Sequence, residues 1–295
     1  MSTRVAILGT GRMGSAVARR LTKLEPTLWN RSRARAEQVG VGRVAATPAA
    51  AVSDADIVIS SLTGAGALRS TYGGPEVAQA AAHGQLFVEM STSGTAFLEE
   101  IEPQLRARGS GIIDAPILGA PTVVLQGGAA VLVGGSPADQ DRARPVLKML
   151  GQVHSVGPLG SGARLKLVAN SMLAAITLAA AELQVAGEAA GLDQDQVFWA
   201  LARLAPGLET RRAGYLDRRH EPTLFAVRDL LKDLDLALEQ FRRSTVRAPL
   251  TTLVRGLVSE AAEVAAELDI TAVIDQYGLA PAAADTSRAG IGSSA

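Results

Sequence analysis

The spacing of apolar residues changes midway along the chain. Through the first half, short apolar runs at 5–8, 27–30, 43–46, 57–62, 86–90, 111–116 and 130–135 alternate with stretches of helical period. Most of these runs are apolar at every position, as strands buried on both faces are. Helical spacing covers 15–21, 96–108 up to Gly109, and 138–150 after Ser136-Pro137; Thr47-Pro48 reads as a cap and first helical turn leading to Asp54. Repeated strand–helix units predict an α/β Rossmann-type domain, a mostly parallel, doubly wound sheet covered on both faces. Ligands of such sheets bind at the carboxyl ends of the strands, here the loops at 60–63, 90–93 and 116–120.

From about residue 158 the alternation stops. Residues 163–190 are rich in Leu, Ala, Val and Ile with few polar interruptions, which predicts one long helix buried on most sides. Further helices are expected over 193–205, 227–241, 248–268 and 270–277. The chain therefore divides into an α/β domain over 1–159 and an all-α domain over 160–280. The Ala/Ser/Gly/Pro-rich residues 281–295 form a tail expected to be disordered.

Composition narrows the function. The 295 residues are 47% apolar and 20% charged, ordinary values for a soluble globular protein. Lys plus Arg equals Asp plus Glu at 29 each, so there is no basic excess for nucleic acid or a membrane surface. There is no cysteine, which removes disulfides, thiolate nucleophiles and Cys-based metal sites. His83, His154 and His220 lack metal-ligand spacing, so no metal is expected. The most apolar stretch, 172–181, is too short to span a bilayer, and Glu182 follows it. The first strand begins at Val5, leaving no room for a signal peptide, so a cytoplasmic location is expected.

The chemistry begins at Gly9-Thr10-Gly11-Arg12-Met13-Gly14, between a strand and a helix. That context makes the glycines a dinucleotide-binding pattern. Gly9 permits the turn, Gly11 lets backbone approach a pyrophosphate, and Gly14 lets helix and strand pack closely. The helix start adds unpaired N–H groups and partial positive charge. A purely structural turn would have the same form. After the second strand, where an NAD site carries Asp or Glu, the chain reads Asn30-Arg31-Ser32-Arg33. With no carboxylate to repel it and guanidinium groups to bind it, a 2′-phosphate is accommodated, which points to NADP; a solvated basic loop is the plainer alternative.

A nicotinamide enzyme also needs a proton donor or acceptor. Lys166 lies in an otherwise apolar run, and burial would lower its pKa. Asn170, one turn later, projects from the same face. A lysine that snorkels to solvent or pairs with a carboxylate would fit the same positions.

Four motifs occur in order: Gly9 to Gly14 with Met13 before the last glycine; Asp114-Ala115-Pro116 followed by Gly119; Gly160-x-Gly162-x-x-x-Lys166-x-x-x-Asn170; and Leu231-Lys232-Asp233-Leu234-Asp235-Leu236-Ala237. With them, the chain to about residue 280 resembles the β-hydroxyacid dehydrogenase family. That family includes 3-hydroxyisobutyrate dehydrogenase and glyoxylate–succinic semialdehyde reductases, with 6-phosphogluconate dehydrogenase and imine reductases as relatives. The resemblance implies a Rossmann domain and a helical domain joined by the long helix. It implies Lys166 as general acid/base with Asn170 beside it, Lys232 closing over the cofactor, and Leu62, Thr63 and Thr92 on its nicotinamide side. Ser91, Leu118, Gly119 and Ala120 are expected on the substrate side.

One departure bears on substrate. Family members acting on small hydroxy acids read Asp-Ala-Pro-Val-Ser-Gly-Gly, whereas here Leu118 replaces the Ser and Ala120 a Gly. A carboxylate-binding site that loses a hydroxyl donor loses affinity, so a more hydrophobic aldehyde, ketone or imine is expected. Imine reductases share the Asn-Arg loop but typically carry Asp or Tyr where this chain has Lys166, which ranks carbonyl reduction first. A non-catalytic NADP-binding protein is the other class. The long apolar helix has more faces to bury than one small helical domain covers, which predicts a homodimer.

Overall fold

The structure, a computed structural model, describes residues 3–72 and 75–278; the tail at 281–295 lies outside the described residues. In chain order the first part runs β1 (Val5–Leu8), α1 (Arg12–Arg20), β2 (Thr27–Trp29), α2 (Arg33–Glu37), β3 (Arg43–Val44), α3 (Pro48–Val52), β4 (Ile57–Ser60), α4 (Ala65–Tyr72), α5 (Pro75–Ala80), β5 (Leu86–Glu89), α6 (Ala96–Arg106), β6 (Gly111–Asp114), β7 (Ile117–Leu118), α7 (Pro121–Gln126), β8 (Ala129–Gly134), α8 (Pro137–Leu147) and β9 (Gly151–Gly157). Then follow the helices α9 (Ser161–Ala189), α10 (Gln194–Leu204), α11 (Arg212–Leu216), α12 (Val227–Arg243) and α13 (Pro249–Ala265).

The described residues form a nine-stranded sheet in the order β3-β2-β1-β4-β5-β6-β8-β7, with β9 pairing β8. Strands β1 to β6 are parallel, and β8 reverses against β6 and β7. The apolar strands are buried on both sides, as their composition predicts. Val5 and Ile7 of β1, Ile57 and Ile59 of β4, and Leu86 and Val88 of β5 enter one core. Ala6, Leu8, Val58 and Phe87, at the intervening positions, enter the other. Fully burying each large side chain contributes roughly 1.5–3 kcal/mol. The expected caps form: Thr47 Oγ1 accepts from Ala50 N at 3.1 Å, and Ser136 Oγ from Asp139 N at 3.2 Å.

The chain forms two compact units, and their limits do not follow one cut in the sequence. Among the described residues the first comprises those up to 173 and 229–255, the second 174–228 and those from 256 on. Where the sequence pattern divides the chain at 159/160, compactness groups the start of α9 and most of α12 with the sheet. The reason is that their polar side chains bond to its loops. At 29 residues α9 is long and apolar enough to cross a membrane by length and composition alone. Its first turns, however, carry Arg164, Lys166 and Asn170. In the second unit Phe198 and Tyr215 pack at 5.8 Å between ring centroids, Tyr215 donates to Thr177 O, and Asp269 accepts from Leu224 N and Phe225 N. The stretch Ile270–Tyr277, expected as a helix, is a 3-10 helix that Asp269 caps through Thr271 N.

Candidate active site

The glycine turn has the tight geometry its sequence demands. Gly9 has φ +98°, and a Cβ there would lie 2.3 Å from Ser61 O; at Gly14 it would lie 2.0 Å from Gly9 O. A Cβ on Gly11 would meet nothing within 4 Å, so the backbone at the start of α1 faces open space. No side chain caps α1, and no acidic residue occupies its first turn. Thr10 is buried, and its Oγ1 has no hydrogen-bond partner. The turn therefore presents uncapped N–H groups, an orphaned hydroxyl and space above Gly11, which fit a dinucleotide phosphate. Met13 packs on the sheet core, and Arg12 pairs with Asp229 at 3.1 Å.

Asn30 ties this turn to the loop after β2. Its Oδ1 accepts from Thr10 N at 3.1 Å and its Nδ2 donates to Ser32 O at 3.0 Å. Arg31, Ser32 and Arg33 are exposed. Arg33 pairs with Glu37 at 2.8 Å along α2, whereas Arg31 makes no ion pair among the described residues.

The loops after β4 and β5 are fastened to each other. Leu62 N donates to Ser91 Oγ at 2.8 Å, and Ser91 N to Glu89 Oε1 at 2.6 Å. Ser91, expected on the substrate side, is thus buried and holds the loop bearing Leu62 and Thr63. Thr63 itself is exposed, and Thr92 O accepts from Lys232 Nζ at 2.6 Å. The stem of Lys232 runs beside Gly64.

At the end of β6, Asp114 accepts from Gly160 N and Ala163 N, each at 2.6 Å. A residue distant in sequence thereby caps α9 and fixes where Lys166 stands. Gly162 permits this approach, since a Cβ there would lie 2.3 Å from Leu132 O and 2.8 Å from Asp114 Oδ2. Burial pushes the Asp114 carboxyl up.

Lys166 Nζ donates to Ile117 O at 2.8 Å, beside half-buried Leu118; Gly119 follows with φ +145°, and Ala120 is the extended residue just before α7. Burial pushes the Lys166 ammonium down to about 8; Asp233 opposes the shift and Lys232 adds to it. Asn170, buried, donates to Asp233 Oδ2 at 2.5 Å. Asp233 Oδ1 lies 2.9 Å from Lys232 Nζ yet receives no well-directed hydrogen bond. Lys166, Asn170, Lys232 and Asp233 thus form one polar cluster against the carboxyl ends of β5 and β7. Asp233, Glu89 and the capping role of Asp114 were not assigned from sequence. Asp114 and Asp233 were visible as members of sequence motifs, and Glu89 as a lone acidic residue closing an apolar strand.

Comparison with known proteins shows the family and the fold. Residues 4–160 match the family model for the NAD-binding domain of 6-phosphogluconate dehydrogenase. Residues 160–277 match the NAD-binding region of NADP-dependent 3-hydroxyisobutyrate dehydrogenase. The chain is 30% identical to an uncharacterised oxidoreductase of Synechocystis, over 80% of this chain and 85% of that one. It is similar to the structure of Mycobacterium tuberculosis 3-hydroxyisobutyrate dehydrogenase with L-serine, at 26% identity and TM-score 0.80, over 94% of this chain and 99% of that one. An imine reductase from Myxococcus stipitatus shares the fold at 21% identity and TM-score 0.61, over 94% and 99%. The chain belongs to the β-hydroxyacid dehydrogenase family of NAD(P)-dependent oxidoreductases.

Proposed function

We propose that this protein is an NADPH-dependent reductase of a small, apolar carbonyl compound, working also in reverse as an alcohol dehydrogenase. The observation that carries the reading is Lys166: a half-buried lysine whose amine is held on Ile117 O, its pKa lowered to about 8, beside the Asn170–Asp233 pair. A group titrating near neutrality is suited to proton transfer. The dinucleotide, when bound, supplies the hydride for the carbonyl carbon.

Lys166 Nζ gives its proton to the oxygen as the carbonyl π pair moves onto it, leaving a hydroxyl and a neutral amine, which solvent then reprotonates. Asn170 and Asp233 keep a negative charge near the ammonium. Lys232 bridges Thr92 and Asp233, joining α12 to the loop after β5. Thr10, Gly11 and the start of α1 take the pyrophosphate, and Arg31 with Asn30 and Ser32 the 2′-phosphate. Leu118 supports an apolar substrate, because no hydroxyl stands there to bind a carboxylate.

The second copy of a homodimer would cover the exposed Leu165, Val168 and Met172 of α9, which recur at helical spacing.

The test is consumption of NADPH against glyoxylate, succinic semialdehyde, apolar aldehydes and ketones, and cyclic imines, with NADH in parallel. Turnover of apolar carbonyls that Lys166→Ala reduces by about 10²–10⁴-fold, with NADPH binding intact, supports the reading. Near-normal turnover in that variant, or turnover of imines alone, overturns it.

A further inference from the structure

The run Leu86-Phe87-Val88-Glu89-Met90 places one ionisable residue in a strand otherwise wholly apolar. Glu89 is 3% exposed. Its register partner on β6 is another carboxylate, Asp114, which repels it. No cation is among the groups acting on it. A carboxylate in such a place raises the energy of the fold unless its hydrogen bonds do something an apolar residue cannot.

Those bonds all lead to the loops that line the candidate cofactor site. Oε1 accepts from Ser91 N at 2.6 Å, and Oε2 accepts from Ser60 Oγ. Tyr72, on α4, donates to Ser60 Oγ at 3.0 Å. Ser91 in turn holds Leu62 N. One carboxylate therefore fastens the ends of β4 and β5. The fastened segments carry Leu62, Thr63 and Thr92, and Ser61 O and the Leu62 side chain press against Gly9 of the glycine turn.

With Glu89 ionised the network is complete, the Ser91 hydroxyl also lying against the carboxylate. Tyr72 O–H then points to Ser60, Ser60 O–H points to the carboxylate, and every hydroxyl hydrogen has an acceptor. A proton on Oε2 puts three hydroxyl hydrogens into a row of three groups, which offers only two links. One hydrogen is left buried without a partner. A proton on Oε1 instead faces the Ser91 N–H. Either way the charge-assisted bond that holds Ser91 is weakened. The other titratable groups facing this network are Tyr72 and Asp114. Burial pushes the Tyr72 phenol further up, so it does not lose its proton, and burial raises Asp114.

We infer that Glu89 is a positioning residue for cofactor binding: its carboxylate holds the loops after β4 and β5 in place, and its protonation loosens them and weakens dinucleotide affinity. The inference rests on the reading of these loops as the nicotinamide side of an NADP site. Burial raises the Glu89 carboxyl to about 7, so the change falls in an accessible window.

The experiment measures the NADPH dissociation constant, by fluorescence of the bound reduced nicotinamide, as a function of pH for wild type, Glu89→Gln and Ser60→Ala. Taking the ratio of variant to wild type removes the titration of NADPH itself. The expected Glu89→Gln ratio is about tenfold above the Glu89 titration and falls towards one below it. Ser60→Ala, a small change that removes a donor to the carboxylate, moves the wild-type midpoint up by about one pH unit. A purely structural role would change affinity without moving a midpoint. A ratio constant with pH, or a Ser60→Ala midpoint equal to wild type, overturns the role of Glu89 while leaving NADPH binding established. Folded wild type that binds no NADPH at any pH overturns the cofactor reading itself, and this inference with it.

Discussion

Asn170 Nδ2 donates to Asp233 Oδ2 across 2.5 Å, joining two residues 63 positions apart in sequence. The bond brings α12 against the first turns of α9, so that Asp233 acts on the charge of Lys166, one turn before Asn170. The polar cluster is therefore a property of two helices together. Neither helix alone would set the proton affinity of Lys166.

The pH dependence of turnover follows. If Lys166 is the proton donor proposed above, carbonyl reduction needs it protonated, so the rate holds below about pH 8 and falls above it. Oxidation of the alcohol needs the neutral amine and shows the mirror profile. Asp233 raises the Lys166 pKa, so Asp233→Asn moves both midpoints to lower pH, by about one unit. Stability has its own sign. The folded pKa lies below the ordinary 10.5, so the unfolded chain binds the extra proton between about 8 and 10.5. This site's contribution to stability is thus smallest below about pH 8 and grows through that window. Thermal unfolding of wild type against Lys166→Met across the same range reads it directly.

Asp114 has a structural task that its replacement exposes. Asp114→Ala leaves Gly160 N and Ala163 N without their acceptor at the buried start of α9. The expected cost is about 2–4 kcal/mol, read as a lower denaturation midpoint. Asp114→Asn keeps one acceptor oxygen and costs less. If both variants unfold as wild type does, Asp114 is not what holds α9 in register.

The two arginines after β2 should differ. Arg33 is engaged by Glu37, whereas Arg31 has no ion pair among the described residues. Arg31→Ala is expected to raise KM for NADPH by about tenfold or more and to leave KM for NADH unchanged. Arg33→Ala should do less. Equal effects on the two cofactors would refute contact with a 2′-phosphate.

Strands β1, β4, β5 and β6 were readable because burial on both faces writes a continuous, mostly apolar run, and the helices of the second half because their stripes are long. What escaped the sequence was short or solvent-facing. β7 and α7 have two and six residues, too few to show a period. β9 has no buried position and mixes Gly, Val and polar residues, so it reads as loop. The reversal of β8 left no mark, because an apolar run carries no direction. In the site, Lys166 was visible as a charge set between Leu165 and Leu167 in a largely apolar helix, with Asn170 one turn on. Its dependence on Asp233 was not, since periodicity reports neighbours on one helix and is silent about a partner on another. Glu89 escaped for a related reason: a single acidic residue closing a strand resembles a strand end meeting solvent, yet here it is buried.

On the proposed function, Leu118 sets the substrate class. It is half-buried in β7, next to Ile117, whose carbonyl holds Lys166 Nζ. A side chain there lies one residue from the anchor of the proposed proton donor, close enough to select what that donor would meet. Leu118→Ser introduces a hydroxyl in place of an isobutyl group. One hydrogen bond to a charged group contributes about 1.5–3 kcal/mol, and lost apolar burial removes a similar amount. The variant is therefore expected to raise kcat/KM for a carboxylate-bearing aldehyde by about tenfold or more and to lower it comparably for an apolar one. Both changes should appear chiefly in KM, because Lys166 and its partners are untouched. If the preference does not cross over, backbone N–H groups of the loop at 116–120 bind the substrate in both proteins, and Leu118 serves only to pack β7.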